Sequence, residues 1–218
     1  MAAASRSDPV DRRRIQRLLT ALAETYPEAV CELDYESAWQ LLVATVLSAQ
    51  CTDQRVNRVT PELFRRWPGP AQLAEADRGE LESVIRSTGL HRSKAKNLRQ
   101  TARRLLADHG GEVPRSMDGL VELPGVGRKT ATVVLGEAFG LAAGVAVDTH
   151  VRRLARRLGL TTAERADRVA DDLEASIPRQ HWVDFSKRLI LHGRRVCGAS
   201  RPRCEICTLA GDCPRIGL

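Results

Sequence analysis

The feature that most constrains this chain is the run Ala38–Leu47, Ala-Trp-Gln-Leu-Leu-Val-Ala-Thr-Val-Leu, which follows Ser37 and leaves almost no polar face at helical spacing. A helix that is apolar all round must be enclosed by other elements. The apolar stretch 41–49, interrupted by Thr45 and Ser48, is far below the roughly 20 residues needed to span a bilayer. It therefore reads as the central helix of a water-soluble fold, capped by Ser37. The rest of the chain supplies partners for it. Ile15, Leu18, Leu19 and Leu22 recur at helical spacing behind an Asp8-Pro9 start signal. Further helical patterns cover Asp53–Arg66, 77–88 stopped by Gly89, 93–109 stopped by Gly110, 116–123, Arg128–Phe139, 149–158 and 181–195. The sequence Thr161-Thr162-Ala163-Glu164 reads as a capping box opening one more helix. No segment alternates like a strand, so the expected fold class is all-α. The small-residue stretch 140–144 is the best candidate for a boundary or connection.

Hydrophobic residues make up 43% of the 218 and charged residues 28%, which excludes a disordered or collagen-like chain and permits folding without disulfides. The N-terminus offers only a three-alanine run where a signal peptide needs an apolar segment of roughly 7–15 residues. The expected location is the cytoplasm, associated with the nucleoid if the source is bacterial, with no membrane partner. Lys and Arg total 34 against 27 Asp and Glu, a formal charge of +7. Such a surplus either solvates the surface or attracts a polyanion, with nucleic acid as the leading candidate. Only four of the basic residues are lysines, Lys94, Lys96, Lys129 and Lys187. Each is of interest because lysine, unlike arginine, can lose its proton and act as a nucleophile.

Four of the six cysteines, Cys197, Cys204, Cys207 and Cys213, lie in the last 22 residues with spacing C-x6-C-x2-C-x5-C. Disulfides are disfavoured in the cytoplasm, so the choice lies between structural zinc and an iron-sulfur centre. Zinc sites usually use two close knuckles. Here only Cys204 and Cys207 form one, and the wider gaps favour a 4Fe-4S cluster. Cys31 and Cys51 read as ordinary core cysteines.

Between two helical patterns stands Leu123-Pro124-Gly125-Val126-Gly127-Arg128-Lys129-Thr130. The glycines permit a tight turn, and the amides of Gly125, Val126 and Gly127 at the start of the next helix suit a DNA phosphate. That contact carries no base specificity. In order along the chain come Leu47-Ser48-Ala49-Gln50, Thr88-Gly89-Leu90, this hairpin, Val147-Asp148-Thr149-His150, Leu191-His192-Gly193 and the four cysteines. In these motifs the sequence resembles the endonuclease III family of DNA glycosylases, within the helix-hairpin-helix superfamily.

The resemblance implies a six-helix barrel domain, residues 31–141, and a second helical domain formed by 1–30 with 142–218, which carries the 4Fe-4S cluster. A DNA cleft would separate them. It implies a monomeric enzyme of base excision repair, acting on double-stranded DNA with damaged pyrimidines or abasic sites. Lys129 would attack C1′ of the damaged nucleotide, form a Schiff base and cleave the strand by β-elimination. An ordinary lysine is almost wholly protonated at neutral pH, so the attack needs help. Asp148 would stabilise the cationic sugar as the base leaves, or carry the proton. Gln50 and Leu90 would fill the gap left by the extruded base. The loop 198–203 carries Arg201 and Arg203 and no acid, and would grip phosphate. His150 and His192 read as hydrogen-bonded structural residues.

Two rivals are weaker. An adenine-specific mismatch glycosylase would carry a carboxylate in the central apolar helix and lack the lysine, but residues 39–50 contain no Asp or Glu. A non-catalytic iron-sulfur DNA-binding or redox-sensing protein would need neither Lys129 nor Asp148.

Overall fold

The computed structural model describes residues 11–218 and is helical throughout. Its helices are α1 (Arg12–Thr25), α2 (Ala38–Leu47), α3 (Asp53–Arg66), α4 (Pro70–Glu75), α5 (Arg78–Val84), α6 (His91–His109), α7 (Met117–Val121), α8 (Arg128–Phe139), α9 (Thr149–Arg157), α10 (Ala166–Ser176) and α11 (Trp182–Arg195). Short 3-10 turns occupy Arg86–Thr88, Arg179–His181, Cys204–Ile206 and Ala210–Asp212. Among the described residues the β structure is limited to an isolated bridge between Cys197 and Pro202. The all-α expectation holds, and no described helix is long and apolar enough to cross a membrane.

Contacts divide the described chain into two units. One is Cys31–Ala143, and the other joins the residues up to Val30 to Gly144–Leu218. In the first unit α2 is the pivot. Ser37 Oγ accepts the Gln40 amide and starts the helix, and Leu41, Leu42, Val43, Ala44 and Leu47 are fully buried. It packs against α3, α6 and α8, while α4 packs on α6 and α7 on α8. In the second unit α11 packs against α1 and α9, and α9 against α10. Its core is built from Leu22, Val151, Leu154, Leu173, Phe185 and Leu189. At roughly 1.5–3 kcal/mol per fully buried aliphatic or aromatic side chain, these two clusters dominate the stability of their units.

Several local expectations are corrected. The Asp8-Pro9 start signal lies outside the described residues, and α1 is instead capped by Asp11, whose Oδ1 accepts the Arg13 amide. The segment 77–88 is not one helix: α5 stops at Val84 and a 3-10 turn leads to Gly89. Helix α6 starts at His91 rather than at residue 93, because Leu90 adopts a left-handed conformation (φ 49°) and is its cap. Thr161 does not open a capping box. Its hydroxyl bonds the Asp172 carboxylate and accepts the Ala163 amide, and α10 begins at Ala166 without a side-chain cap.

Candidate DNA-binding and catalytic site

The glycine hairpin is fixed from below. Val126 is buried in the core of its unit and its amide donates to Leu123, while Thr101 Oγ1 of α6 donates to the Pro124 carbonyl at 2.9 Å. Gly125 has φ 81°, and a Cβ there would stand 2.7 Å from Asn97 Nδ2, so only glycine fits. Gly127 caps α8 and brings no capping side chain. The helix start thus has no capping side chain standing over its first-turn amides. Gly125 and Gly127 are exposed, and so is Lys129 in the first turn.

Two exposed tips in the same unit carry unusual backbone. Gln50 (φ 54°) and Leu90 (φ 49°) are two of the three non-glycine residues with positive φ among the described residues. Each costs on the order of 1–2 kcal/mol relative to ordinary backbone, and such strain concentrates at functional sites. Leu90 is 55% exposed. An apolar side chain held out in this way, at the start of a helix carrying His91, Arg92 and Lys94, does not belong to the core. Lys94 itself is buried, and its Nζ donates to the carbonyls of Leu47 and Thr88. That removes it as a competing nucleophile.

In the other unit Asp148 is the N-cap of α9, its Oδ1 accepting the Val151 amide at 2.8 Å. The carboxylate thus sits in the positive field of the helix start. Asp148 and Lys129 belong to different units. The C-terminal loop holds the four cysteines, all half-buried and free of disulfides. Cys197, Cys207 and Cys213 pack against the apolar core of this unit. Burial pushes the Cys207 thiol up, the Leu209 amide opposes the shift, and Cys197, Cys213 and Cys204 add to it. Among the described residues no three His, Cys, Asp or Glu side chains form a ready site for a metal ion.

Arginines tie this loop down. Buried Arg157 donates to Cys197 Sγ (3.2 Å) and to the carbonyls of Gly198 and Ala199 (both 2.7 Å). Arg153 donates to the carbonyls of Gly193 and Cys197. Of the two arginines expected to grip phosphate, Arg201 is exposed, and Arg203 is exposed but donates to the Arg195 carbonyl. His192 is structural, as expected. Burial lowers its pKa to about 4, and its ring lies between the Tyr26 hydroxyl (3.0 Å) and Cys207 Sγ (3.3 Å).

Sequence reasoning missed Asn97 and Thr101 beneath the hairpin and Arg157 beneath the cysteines. Asn97 and Thr101 could not be distinguished from ordinary polar residues of an amphipathic helix. Arg157 is one of many arginines.

A glycine hairpin between α7 and α8, with an exposed lysine in the first turn of the second helix, is a helix-hairpin-helix arrangement. Residues 43–179 match the HhH-GPD superfamily of base excision DNA repair proteins. Endonuclease III of Synechocystis sp. is 53% identical over 203 residues, 93% of each chain, and that of Bacillus subtilis is 44% identical over 202 residues, 92% of each. A trapped endonuclease III–DNA covalent intermediate, an estranged-adenine complex, superposes with a TM-score of 0.89 at 42% identity, covering 94% of this chain and 97% of that one. The chain belongs to the endonuclease III family, and is a base-excision-repair DNA glycosylase with lyase activity.

Proposed function

We propose that Lys129 is the nucleophile of this enzyme, that Asp148 assists it, and that the substrates are oxidised pyrimidines and abasic sites in duplex DNA. The observation that carries this reading is the position of Lys129, exposed in the first turn of α8, next to a hairpin whose shape permits close approach of a DNA backbone. A phosphate bound at that helix start would place the adjoining sugar within reach of the lysine.

The Nζ lone pair forms a bond to C1′ as the glycosidic electron pair leaves with the base, which takes up a proton. Sugar-ring opening then gives the iminium. Loss of a C2′ proton expels the 3′ phosphate, and water finally releases the lysine. Asp148, held by the Val151 amide, stabilises positive charge on the sugar as the base departs. Gln50 and Leu90, presented on strained tips, fill the space vacated by the extruded nucleotide. Arg201 and Arg203 hold phosphate on the other unit.

The donor set of Cys197, Cys204, Cys207 and Cys213 fits a 4Fe-4S cluster: four free thiols on one loop, three of them packed on the apolar core, with Arg157 donating to Cys197 Sγ and its carbonyl accepting from Cys213 Sγ. The four cysteine thiolates would hold such a cluster through iron–sulfur bonds and so fix the loop carrying Arg201 and Arg203. Four irons per chain support this assignment, and one zinc with no iron refutes it. The catalytic assignment is tested by borohydride reduction, which should trap a covalent adduct on thymine glycol or abasic DNA through Lys129.

A further inference from the structure

One buried side chain ties together the two loops that end in Gln50 and Leu90. At the end of α2, Cys51 gives its amide to Ser48 rather than to Leu47, four residues back. In the second loop the 3-10 turn ends at Thr88, followed by Gly89 (φ 69°) and Leu90. Lys94 Nζ donates to the Leu47 carbonyl at 2.7 Å and to the Thr88 carbonyl at 2.8 Å. Its backbone amide donates to the Leu90 carbonyl at 2.9 Å. Lys94 is only 4% exposed, and burial lowers its pKa, with Cys51 opposing the shift.

An ammonium is a costly way to fill an apolar site, since a methionine of similar length would pack there without desolvating a charge. What the ammonium adds is two directed bonds to two different loops, three residues before one tip and two before the other. Left-handed backbone at a leucine and a glutamine persists only where surrounding structure enforces it. We propose that Lys94 is a positioning residue whose ammonium clamps the two loops together, so that Gln50 and Leu90 meet DNA in one fixed register. The inference rests on the reading of Gln50 and Leu90 as the gap-filling pair, and the test separates the two.

The full-length holoenzyme is compared with its Lys94→Met, Leu90→Ala and double variants. Single-turnover excision is measured on a thymine-glycol duplex, where a base must be extruded. Borohydride trapping is measured on a single-stranded abasic oligonucleotide, where no gap needs filling. Lys94→Met should slow duplex excision by about tenfold, the effect of leaving buried carbonyls unpaired. It should leave single-strand trapping within about twofold, and add less than about twofold to the Leu90→Ala defect, because residues acting as one unit are non-additive. If Lys94→Met fails to fold, Lys94→Gln takes its place. A parallel fall in both activities, a duplex rate equal to wild type, or full additivity with Leu90→Ala overturns the clamp. A wild-type rate for Leu90→Ala removes the gap-filling reading and the clamp with it, whereas a slow Leu90→Ala beside a fast Lys94→Met removes the clamp alone.

Discussion

The hairpin of the Cys31–Ala143 unit and the cysteine loop of the other unit are both irregular, and they are held by different forces. Beneath the hairpin lies apolar core: Val126 and Leu123 are buried with α2 and α8, and one hydroxyl, Thr101, fixes Pro124. The loop from Cys197 onward has little core of its own, Leu209 being its one fully buried large side chain among the described residues. Its backbone carbonyls are instead met by arginines: Arg157 at Gly198 and Ala199, Arg153 at Cys197, and Arg14 at Asp212. A segment packed by its own leucines and valines folds on its own energetics. A segment held by donors from outside depends on those few donors, so single substitutions should loosen the second region more locally than the first.

The largest effect expected from this contrast is that of Cys204→Ser. Loss of one thiolate should cost the broad absorbance near ~400 nm and the iron, and limited proteolysis should then cut between residues 197 and 218 while the fragment containing α2 to α8 stays intact. Simultaneous digestion of both units would show that the regions are not independent. Next in size, Leu42→Ala should destabilise the hairpin's unit by about 2–5 kcal/mol, because the cavity opens in a fully enclosed helix. Denaturant unfolding would measure it, and iron content should not change.

Arg157→Met should cost about 1 kcal/mol by removing the donor to the partly exposed Gly198 and Ala199 carbonyls. Hydrogen exchange should quicken in the cysteine loop rather than at the hairpin. The sharpest comparison, which includes the smallest effect, lies within the hairpin. Gly125→Ala faces a positive φ and the Asn97 side chain and should cost about 1–2 kcal/mol. Gly127→Ala, with φ −96° and nothing within 4 Å of its Cβ, should be near neutral in stability. Equal melting temperatures for the two variants would contradict the geometry.

The same contrast explains what was legible in the sequence. Helices α2, α3 and α8 have the bounds expected because their end signals are local: Ser37 and Thr52 each accept the amide three residues on, and Gly127 and Gly140 bracket α8, the latter in left-handed backbone. Thr161 looked like a cap, yet its hydroxyl is taken by Asp172 eleven residues away, a competition no local motif displays. Short α4 escaped notice because six residues give too few turns for a period. Lys94 was readable in principle. It shares the stripe of Leu98, Thr101 and Leu105 on the buried face of α6, which marks it as enclosed. Which carbonyls it meets depends on the arrival of two other loops, and that is tertiary information.

The most direct test of the central claim is borohydride trapping on thymine-glycol duplex DNA with wild type, Lys129→Gln and Asp148→Asn side by side. Lys129→Gln should give no adduct while still binding the duplex, because the hairpin backbone and the arginines are untouched. Asp148→Asn keeps the cap of α9, since asparagine serves as well there, and should form the adduct slowly on the lesion but faster on a preformed abasic site. A trapped adduct and strand cleavage by Lys129→Gln at the wild-type rate would mean that another amine is the nucleophile.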